Sequence, residues 1–427
     1  MLRLILSPSV GGTAGYLYDA VAALASSGGE AVLIVPEQYS FAAERIVLER
    51  LGTADAQRVE VLSFTRLANT VFNSVGWDKG KRLNEAGKIL LMSRALEQCA
   101  DKLTVYARSA DSPAVVRELL VLSEEFCQCA ISSEDIVSAM NNMEEGLLKD
   151  KLGDISLVFS VYDSFVSDGW LDDSRMLTRL KDKLAESGYF KNKTVFFDSF
   201  RGFTAQEFGI IGKILTQADD VCVALNAPDL TDVGSDDIFY HTKNTAKKLI
   251  KIANSVDVPC AKPVTVNEPN SNAALDALAK DFLSPEADVF EGECGSIAVV
   301  AAPDIRSECA FIAAQIKKML RTGEYRSRDI AVIVRDDKSY IRPMMTALAK
   351  CGVPVFEDRR QPVINQPLMT LVRAALKIAD TGFDTDSVLR ALKTGLCPLE
   401  ADEVSDIENY TYLWQINGSG WLKKWES

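Results

Sequence analysis

Three observations predict an α/β protein built on parallel sheets with helical insertions. Short apolar runs alternate with amphipathic stretches near the N-terminus, the alternation resumes after residue 190, and a second set of the same kind begins near residue 295. Parallel strands need a crossover of a dozen or more residues, usually a helix, so this rhythm marks βαβ units.

Taken in order, "LRLILS" is a strand, the Pro, Ser and Gly residues after it form a loop, and "YLYDAVAALASSG" repeats apolar residues at helical spacing. "AVLIVP" (31–36) is a buried strand, 40–51 a helix and "VEVLSF" (59–64) the next strand. Between about 83 and 190 strand-like runs disappear, and stretches such as "EAGKILLMSRALEQCA" and "SPAVVRELLVLSEEFCQCA" predict a helical insertion. The sheet resumes with "KTVFFDSF" (193–200), a helix at 205–217 and the strand "VCVALN" (221–226). Residues 227–292 read as polar and turn-rich, with a boundary near 295. A second α/β set follows: strand "SIAVVAAP", helix 305–322, strand "DIAVIVR" (329–335), helix 338–351 and a short strand at 353–357. From 365 onward the pattern is helical to the end.

Composition narrows the chemistry. Over 427 residues the chain is 47% hydrophobic and 25% charged, with a formal net charge of -13, which describes a globular chain rather than a disordered one. No apolar run approaches the ~20 residues of a membrane-spanning helix, and Pro8 and two glycines cut the opening apolar stretch too short for a signal peptide, so a cytoplasmic protein is expected. The nine cysteines are scattered, and Cys127 and Cys129 form a lone close pair, too little for a zinc site. A single histidine, His241, leaves no material for a His-rich metal centre or an HExxH helix, and a Ser-His-Asp triad has no nucleophile elbow to serve it. No catalytic or metal-ligating set is therefore assigned, and any chemistry must run on carboxylates, lysines or a bound nucleotide.

The loop "SPSVGGTAGY" sits where a phosphate-binding loop belongs, between the first strand and the first helix. A working GxxxxGK[ST] loop cradles phosphates with backbone N–H groups, sets a lysine on the β- and γ-phosphates and a hydroxyl on magnesium. With Gly11 and Gly12 in register, Thr13 stands at the lysine position and Ala14 at the metal position, so both groups are missing. The loop reads either as a structural turn or as a residual nucleotide site.

"LIVPEQYSFAAERIVL" (33–48), "VEVLSFTRLANTVF" (59–72), "TVFFDSFRGFTAQEFGIIGKIL" (194–215) and the whole of 304–376 together resemble the AddB (RexB) family, subunits of bacterial ATP-dependent helicase-nuclease complexes. The resemblance covers essentially the whole chain. It implies two RecA-like domains of the P-loop, superfamily 1A helicase type. Residues 1–85 with 191–292 would form the first (1A), 86–190 its helical insertion (1B), 295–364 the second (2A) and 365–427 the start of a truncated helical region (2B). AddB subunits are much longer, with a nuclease domain and an iron-sulfur cluster in their C-terminal half, so the sequence reads as an N-terminal piece without cofactors of its own; ATP and magnesium are at most residual ligands.

The resemblance also places residues. Asp198-Ser199 stands where an active motor carries Asp-Glu to hold magnesium and polarise water, leaving no adjacent base. Arg335 stands where this superfamily reaches the γ-phosphate, and reads equally as a surface arginine closing a strand. Tyr39, Ser40 and Phe41 after one strand, and Ser63, Phe64 and Arg66 after the next, fall on the family's single-strand DNA path, where aromatics stack on bases and polar groups meet phosphates. Phe41 and Phe64 read equally as core residues at helix starts. Arg359 and Arg360 form a basic turn that faces DNA or pairs with Glu357 and Asp358. Trp414, Trp421 and Trp425 read as core residues of the last region or as a protein contact.

The implied function is an inactivated helicase-like scaffold in a complex that processes double-strand DNA ends for recombinational repair. It would guide or scan a DNA strand, recognise a Chi-type sequence and partner an AddA-like motor, with no membrane role. The alternatives are an active motor with a degenerate loop, or a protein-interaction module. The acidity fits this division: residues 91–190 hold 10 bases against 18 acids, whereas 301–377 hold 14 bases against 8 acids.

Overall fold

A computed structural model describes residues 1–9, 12–77, 80–167, 169–266, 272–282, 288–357 and 363–425. The chain divides into two units, Met1–Ile297 and Ala298–Ser427.

The first unit opens with β1 (Leu2–Ser7), α1 (Ala14–Ser26), β2 (Glu30–Ile34), α2 (Ser40–Ala56), β3 (Val59–Leu62) and α3 (Phe64–Val75). A two-residue strand β4 (Lys81–Arg82) leads into helices α4 (Glu85–Cys99), α5 (Pro113–Gln128), α6 (Ser133–Asn141) and α7 (Leu147–Ser167). The chain returns through β5 (Trp170–Leu171), paired in parallel with β4, and α8 (Met176–Ser187). Then come β6 (Lys193–Phe197), α9 (Ala205–Gln217), β7 (Asp220–Asn226), α10 (Tyr240–Ser255), β8 (Val264–Thr265) and α11 (Ala273–Asp281).

Six strands pair in the order β3-β2-β6-β7-β1-β8, all parallel. Strands buried on both faces read as unbroken apolar runs, which is why β1, β2, β6 and β7 stand out in the sequence. Alternate residues feed two cores. Leu4, Leu6, Val32, Ile34, Val195, Phe197 and Val223 meet α3, α8, α9 and α10 on one face. Ile5, Ala31, Leu33, Phe196 and Ala224 meet α1 and α2 on the other. Through Leu180 and Leu184, α8 belongs to the sheet's core.

Helices α4 to α7 have a core of their own around Met92, Leu96, Leu119, Val158 and Tyr162. Two buried polar groups fix it. The Asp154 carboxylate accepts from the backbone N–H groups of Thr104 (2.9 Å), Val105 (2.7 Å) and Tyr106 (2.9 Å), pinning the loop after α4. Lys88 Nζ joins Glu124 (2.7 Å) on α5 to Asp172 (3.3 Å) beyond β5.

Three elements, α10, β8 and α11, depart from the sequence reading of 227–292 as turns. α10 forms because Ala246, Leu249 and Ala253 recur at helical spacing beneath a lysine-rich outer face, and β8 adds a short edge strand beside β1.

In the second unit the described residues form α12 (Ile305–Thr322), α13 (Asp337–Lys350), α14 (Pro367–Thr381), α15 (Thr385–Leu392) and α16 (Ala401–Leu413). Cys309, Ala313, Ile316, Met344, Leu348 and Val353 make a small core between α12 and α13. The strands expected at "SIAVVAAP", 329–335 and 353–357 do not form among the described residues, and this corrects the reading of a second sheet. Parallel strands are stable when both faces are covered; here Val299, Ile333 and Phe356 are each more than 90% exposed. Near the C-terminus, Tyr410 stacks on Trp425 (5.2 Å) and Trp421 meets Trp425 edge-on (5.3 Å), whereas Trp414 is exposed. No helix among the described residues is long and apolar enough to cross a membrane.

Candidate functional site

In an open parallel sheet, ligands bind outside the carboxyl ends of the strands, where successive connections leave for opposite faces. Here that point lies between β1, which sends α1 to one face, and β7, whose following helix α10 covers the other. The loop from Ser7 to Thr13 occupies it, and Asp198 lies one strand further along, since β7 separates β1 from β6.

The described part of this loop is closed on itself. Ser7 is fully buried, and its Oγ lies 3.1 Å from Ser9 Oγ and accepts from Ser9 N–H at 3.3 Å. Gly12 N–H donates to Ser9 O at 3.1 Å. From the end of β7, the Asn226 amide, in the orientation that satisfies it, donates to Ser7 O (2.7 Å) and Pro8 O (3.0 Å). A Cβ at Gly12 would collide with the Ser7 and Ser9 hydroxyls, so glycine is required there by the loop's own closure. Thr13 is buried and Ala14 begins α1. Gly11 lies outside the described residues.

A phosphate needs free N–H donors and a cation, and magnesium needs a hydroxyl or carboxylate open to it. The donors of Ser9 and Gly12 are engaged within the loop, the lysine and hydroxyl positions hold Thr13 and Ala14, and Asp198 is 4% exposed. With no lysine, no metal hydroxyl and a buried Asp198, these residues do not fit the magnesium-bound end of a triphosphate, although the uncapped N-terminus of α1 keeps N–H donors.

Asp198 follows directly on β6, where its N–H donates to Ile34 O at 3.1 Å. Ser199 comes next in the left-handed region at φ 64°, a conformation disfavoured for a residue with a Cβ and most often kept at sites under functional constraint. Tyr18 from α1, itself 1% exposed, and Tyr39, just before α2, lie near the carboxylate. The Tyr18 hydroxyl and Asp198 Oδ2 are both buried, and neither meets a partner in hydrogen-bonding geometry. Burial pushes the Asp198 carboxyl up from the usual range, against the opposing influence of the nearby Ser199 and Tyr18 donors. Burial likewise raises both tyrosines, and the Asp198 charge raises them further.

Along the rim, the residues matched to a DNA path separate into two kinds. Phe41 projects from the start of α2, 77% exposed. Ser40 Oγ donates to Glu37 O at 2.9 Å, and Arg66, partly exposed, pairs with Glu44 at 2.6 Å. Ser63 is spent on local structure: its Oγ caps α3 by accepting from Arg66 N–H (3.2 Å) and donates to the Glu37 carboxylate. Phe64 is buried among Phe197, Phe200 and Phe203, with ring centroids 5.8 to 6.3 Å away. A ring enclosed in this way has no free face for a base, so Phe64 is a core residue. Tyr39 is drawn into the Asp198 cluster instead of the rim. Arg335 is an exposed residue of the second unit, and Arg359 and Arg360 lie outside the described residues.

Motif matching missed Tyr18 and Asn226. The one available signal was a bulky aromatic in "YLYDAV", five residues after Thr13, on the helix that a nucleotide loop would launch.

Comparison with known proteins gives a consistent result. The pattern of the protein family described as ADDB, N-terminal, matches residues 4–280. Curated relatives, each named as the B subunit of an ATP-dependent helicase/deoxyribonuclease, include that of Caldanaerobacter subterraneus subsp. tengcongensis, 30% identical over 401 residues, covering 92% of this chain and 35% of the relative. The Clostridium novyi protein is 30% identical over 401 residues, with 93% and 35% covered. The Clostridium acetobutylicum protein is 29% identical over 432 residues, with 99% and 37% covered. The chain spans about a third of the length of the curated relatives it matches.

Proposed function

The chain belongs to the AddB N-terminal family, and from that premise we propose that it is a non-hydrolysing, helicase-like scaffold within an ATP-dependent helicase-nuclease complex. The relatives' name, as a subunit of an ATP-dependent helicase/deoxyribonuclease, supports assembly with a motor subunit of the AddA kind; processing of DNA ends for recombinational repair, in the cytoplasm, belongs to the same proposal. In this reading both units derive from RecA-like domains. The placing of β7 between the loop-bearing β1 and the Asp198-bearing β6 supports that descent for the first.

The observation that carries the proposal is the closed loop at the head of the sheet. The Ser9 and Gly12 N–H groups bond within the loop, its cation and metal hydroxyl are replaced, and Asp198 is buried near Tyr18. What is left for the sheet to do is to hold a strand of DNA across its rim, where Phe41 offers a free ring for stacking and Arg66 a cation for phosphate. Recognition of a Chi-type sequence belongs to the same reading.

ATP turnover by the purified chain, with and without single-stranded DNA, tests the proposal. No turnover in either condition is expected. DNA-stimulated hydrolysis that disappears in Asp198→Ala would overturn it in favour of an active motor with an unusual loop.

A further inference from the structure

In the second unit, α12 and α13 lie side by side and enclose a groove of about 500 Å³ lined by Arg306 and Ala310 from one helix and Arg342, Thr346 and Lys350 from the other. Arg342, Thr346 and Lys350 are spaced four residues apart, which brings them onto one helical stripe. All three cations are exposed, and none has an ion-pair partner among the described residues. At the head of α12, the Asp304 carboxylate is spent on capping, accepting from the N–H groups of Arg306 (2.8 Å) and Ser307 (2.9 Å) and from the Ser307 hydroxyl (3.0 Å). No carboxylate among the described residues lines the groove. Neighbouring concavities of the same unit differ in this respect. One sets Asp386 and Glu408 among Arg390 and Lys393, and another sets Asp380 among Arg373 and Lys377.

We propose that the α12–α13 groove holds the phosphate backbone of a nucleic-acid strand, gripped by Arg306, Arg342 and Lys350. Three cations line a groove that no described carboxylate lines, and apart from the influence of Asp304 on Arg306 at the head of α12 their charge is available to an anion. Guanidinium groups match phosphate oxygens through paired N–H donors, and the Thr346 hydroxyl adds a neutral donor. Ala310, Pro343, Ala347 and Cys351 complete the lining with apolar surface that suits sugars, and no aromatic ring among the described residues lines it for stacking a base. The groove therefore binds backbone without reading sequence. An acidic polypeptide is the less suited occupant, because it lacks the multiple oxygens per charge that an arginine fork engages.

This inference rests on the reading of the chain as a DNA-guiding scaffold, and the test separates the two. Anisotropy of fluorescein-labelled single-stranded oligonucleotides of two unrelated sequences is followed across a salt series. Four forms of the chain are compared: unaltered, Arg306→Glu/Arg342→Glu/Lys350→Glu, the same three positions changed to Ala, and a charge-matched control, Lys102→Glu/Arg117→Glu/Lys151→Glu, on exposed bases of the helical insertion. Each phosphate contact contributes about 0.7 to the slope of log K against log salt on single strands, so the groove variant should lose roughly 2 from that slope and at least about tenfold in affinity at low salt. The loss should be equal on both sequences, and the control should keep the slope. Arg306→Ala/Arg342→Ala/Lys350→Ala should lose the same slope, which guards against a folding defect from charge reversal. If the unaltered chain binds and the groove variant matches the control, the groove is overturned while the scaffold reading stands. If the unaltered chain shows no salt-dependent binding, the scaffold reading falls and the groove with it. Displacement of the oligonucleotide by polyglutamate at equal charge would overturn the choice of nucleic acid.

Discussion

Replacing Asp198 with Asn should stabilise this protein at neutral pH, the opposite of what a buried, partnered carboxylate would give. The side chain is 4% exposed, Oδ2 has no hydrogen-bond partner, and burial holds its pKa above the ordinary carboxylate value. An unfolded chain releases this proton near the ordinary aspartate value of about 3.9, whereas the folded chain retains it to higher pH. Stability therefore falls as pH rises from the unfolded value to the folded one, and the full penalty is present above that window. Asparagine cannot ionise and places a donor beside the Tyr18 hydroxyl, which also lacks a partner. Relieving one buried unsatisfied polar atom is worth about 1–3 kcal/mol, and each kcal/mol should raise the first unit's melting temperature by roughly 2–4 °C. Urea and thermal unfolding followed by far-ultraviolet circular dichroism should show a gain that is largest at about pH 7.5 and falls, as pH drops to the unfolded value of about 4, to the pH-independent part supplied by the amide donor. A destabilised variant at neutral pH, or a gain that does not change with pH, would refute the reasoning and mean that Asp198 is ionised with a partner of its own.

Other outcomes follow from named contacts. Phe41→Ala should leave stability within about 0.5 kcal/mol, since the ring is exposed, but weaken single-stranded DNA binding in the anisotropy assay. Phe64→Ala should cost about 3–5 kcal/mol in urea unfolding, because its ring fills the cluster with Phe197, Phe200 and Phe203. Asp154→Ala strands three backbone N–H groups and should cost about 3–5 kcal/mol by chemical denaturation, with the loss confined to the helical insertion in hydrogen exchange. Lys88→Ala leaves the Asp172 carboxylate buried near Glu124 without its cation, at a cost of about 3 kcal/mol in the same denaturation assay, whereas Lys88→Arg should recover most of it.

Much of the first unit was legible because burial on both faces writes a parallel strand as an unbroken apolar run. β2, β6 and β7 and most of β1 announce themselves that way, β3 shows alternation around Glu60 instead, and Asp198, just past β6, could be located from its strand alone. α10 was hidden by its own surface. Lys247, Lys248 and Lys251 break up the apolar pattern that Ala246, Leu249 and Ala253 would otherwise display, so the segment reads as polar. In the second unit the reverse happened. Apolar runs at 329–335 and 353–357 carry strand composition, but composition cannot supply the neighbouring strand and covering layer that a ladder requires, and Ile333 and Phe356 stand exposed. At the site, glycine and aspartate positions were visible as motifs. Their closure was not, because it depends on Tyr18 and Asn226 arriving from a helix and a strand that the motif does not include.

Equilibrium binding of magnesium-ATP to the purified chain, followed by isothermal titration calorimetry, tests the central claim most directly. With the Ser9 and Gly12 N–H groups engaged within the loop, no lysine or metal hydroxyl at Thr13 and Ala14, and Asp198 buried, no saturable heat is predicted at millimolar nucleotide. One-to-one binding that is abolished by Asp198→Ala would contradict the account, because it would require this loop to open and present its N–H groups to phosphate.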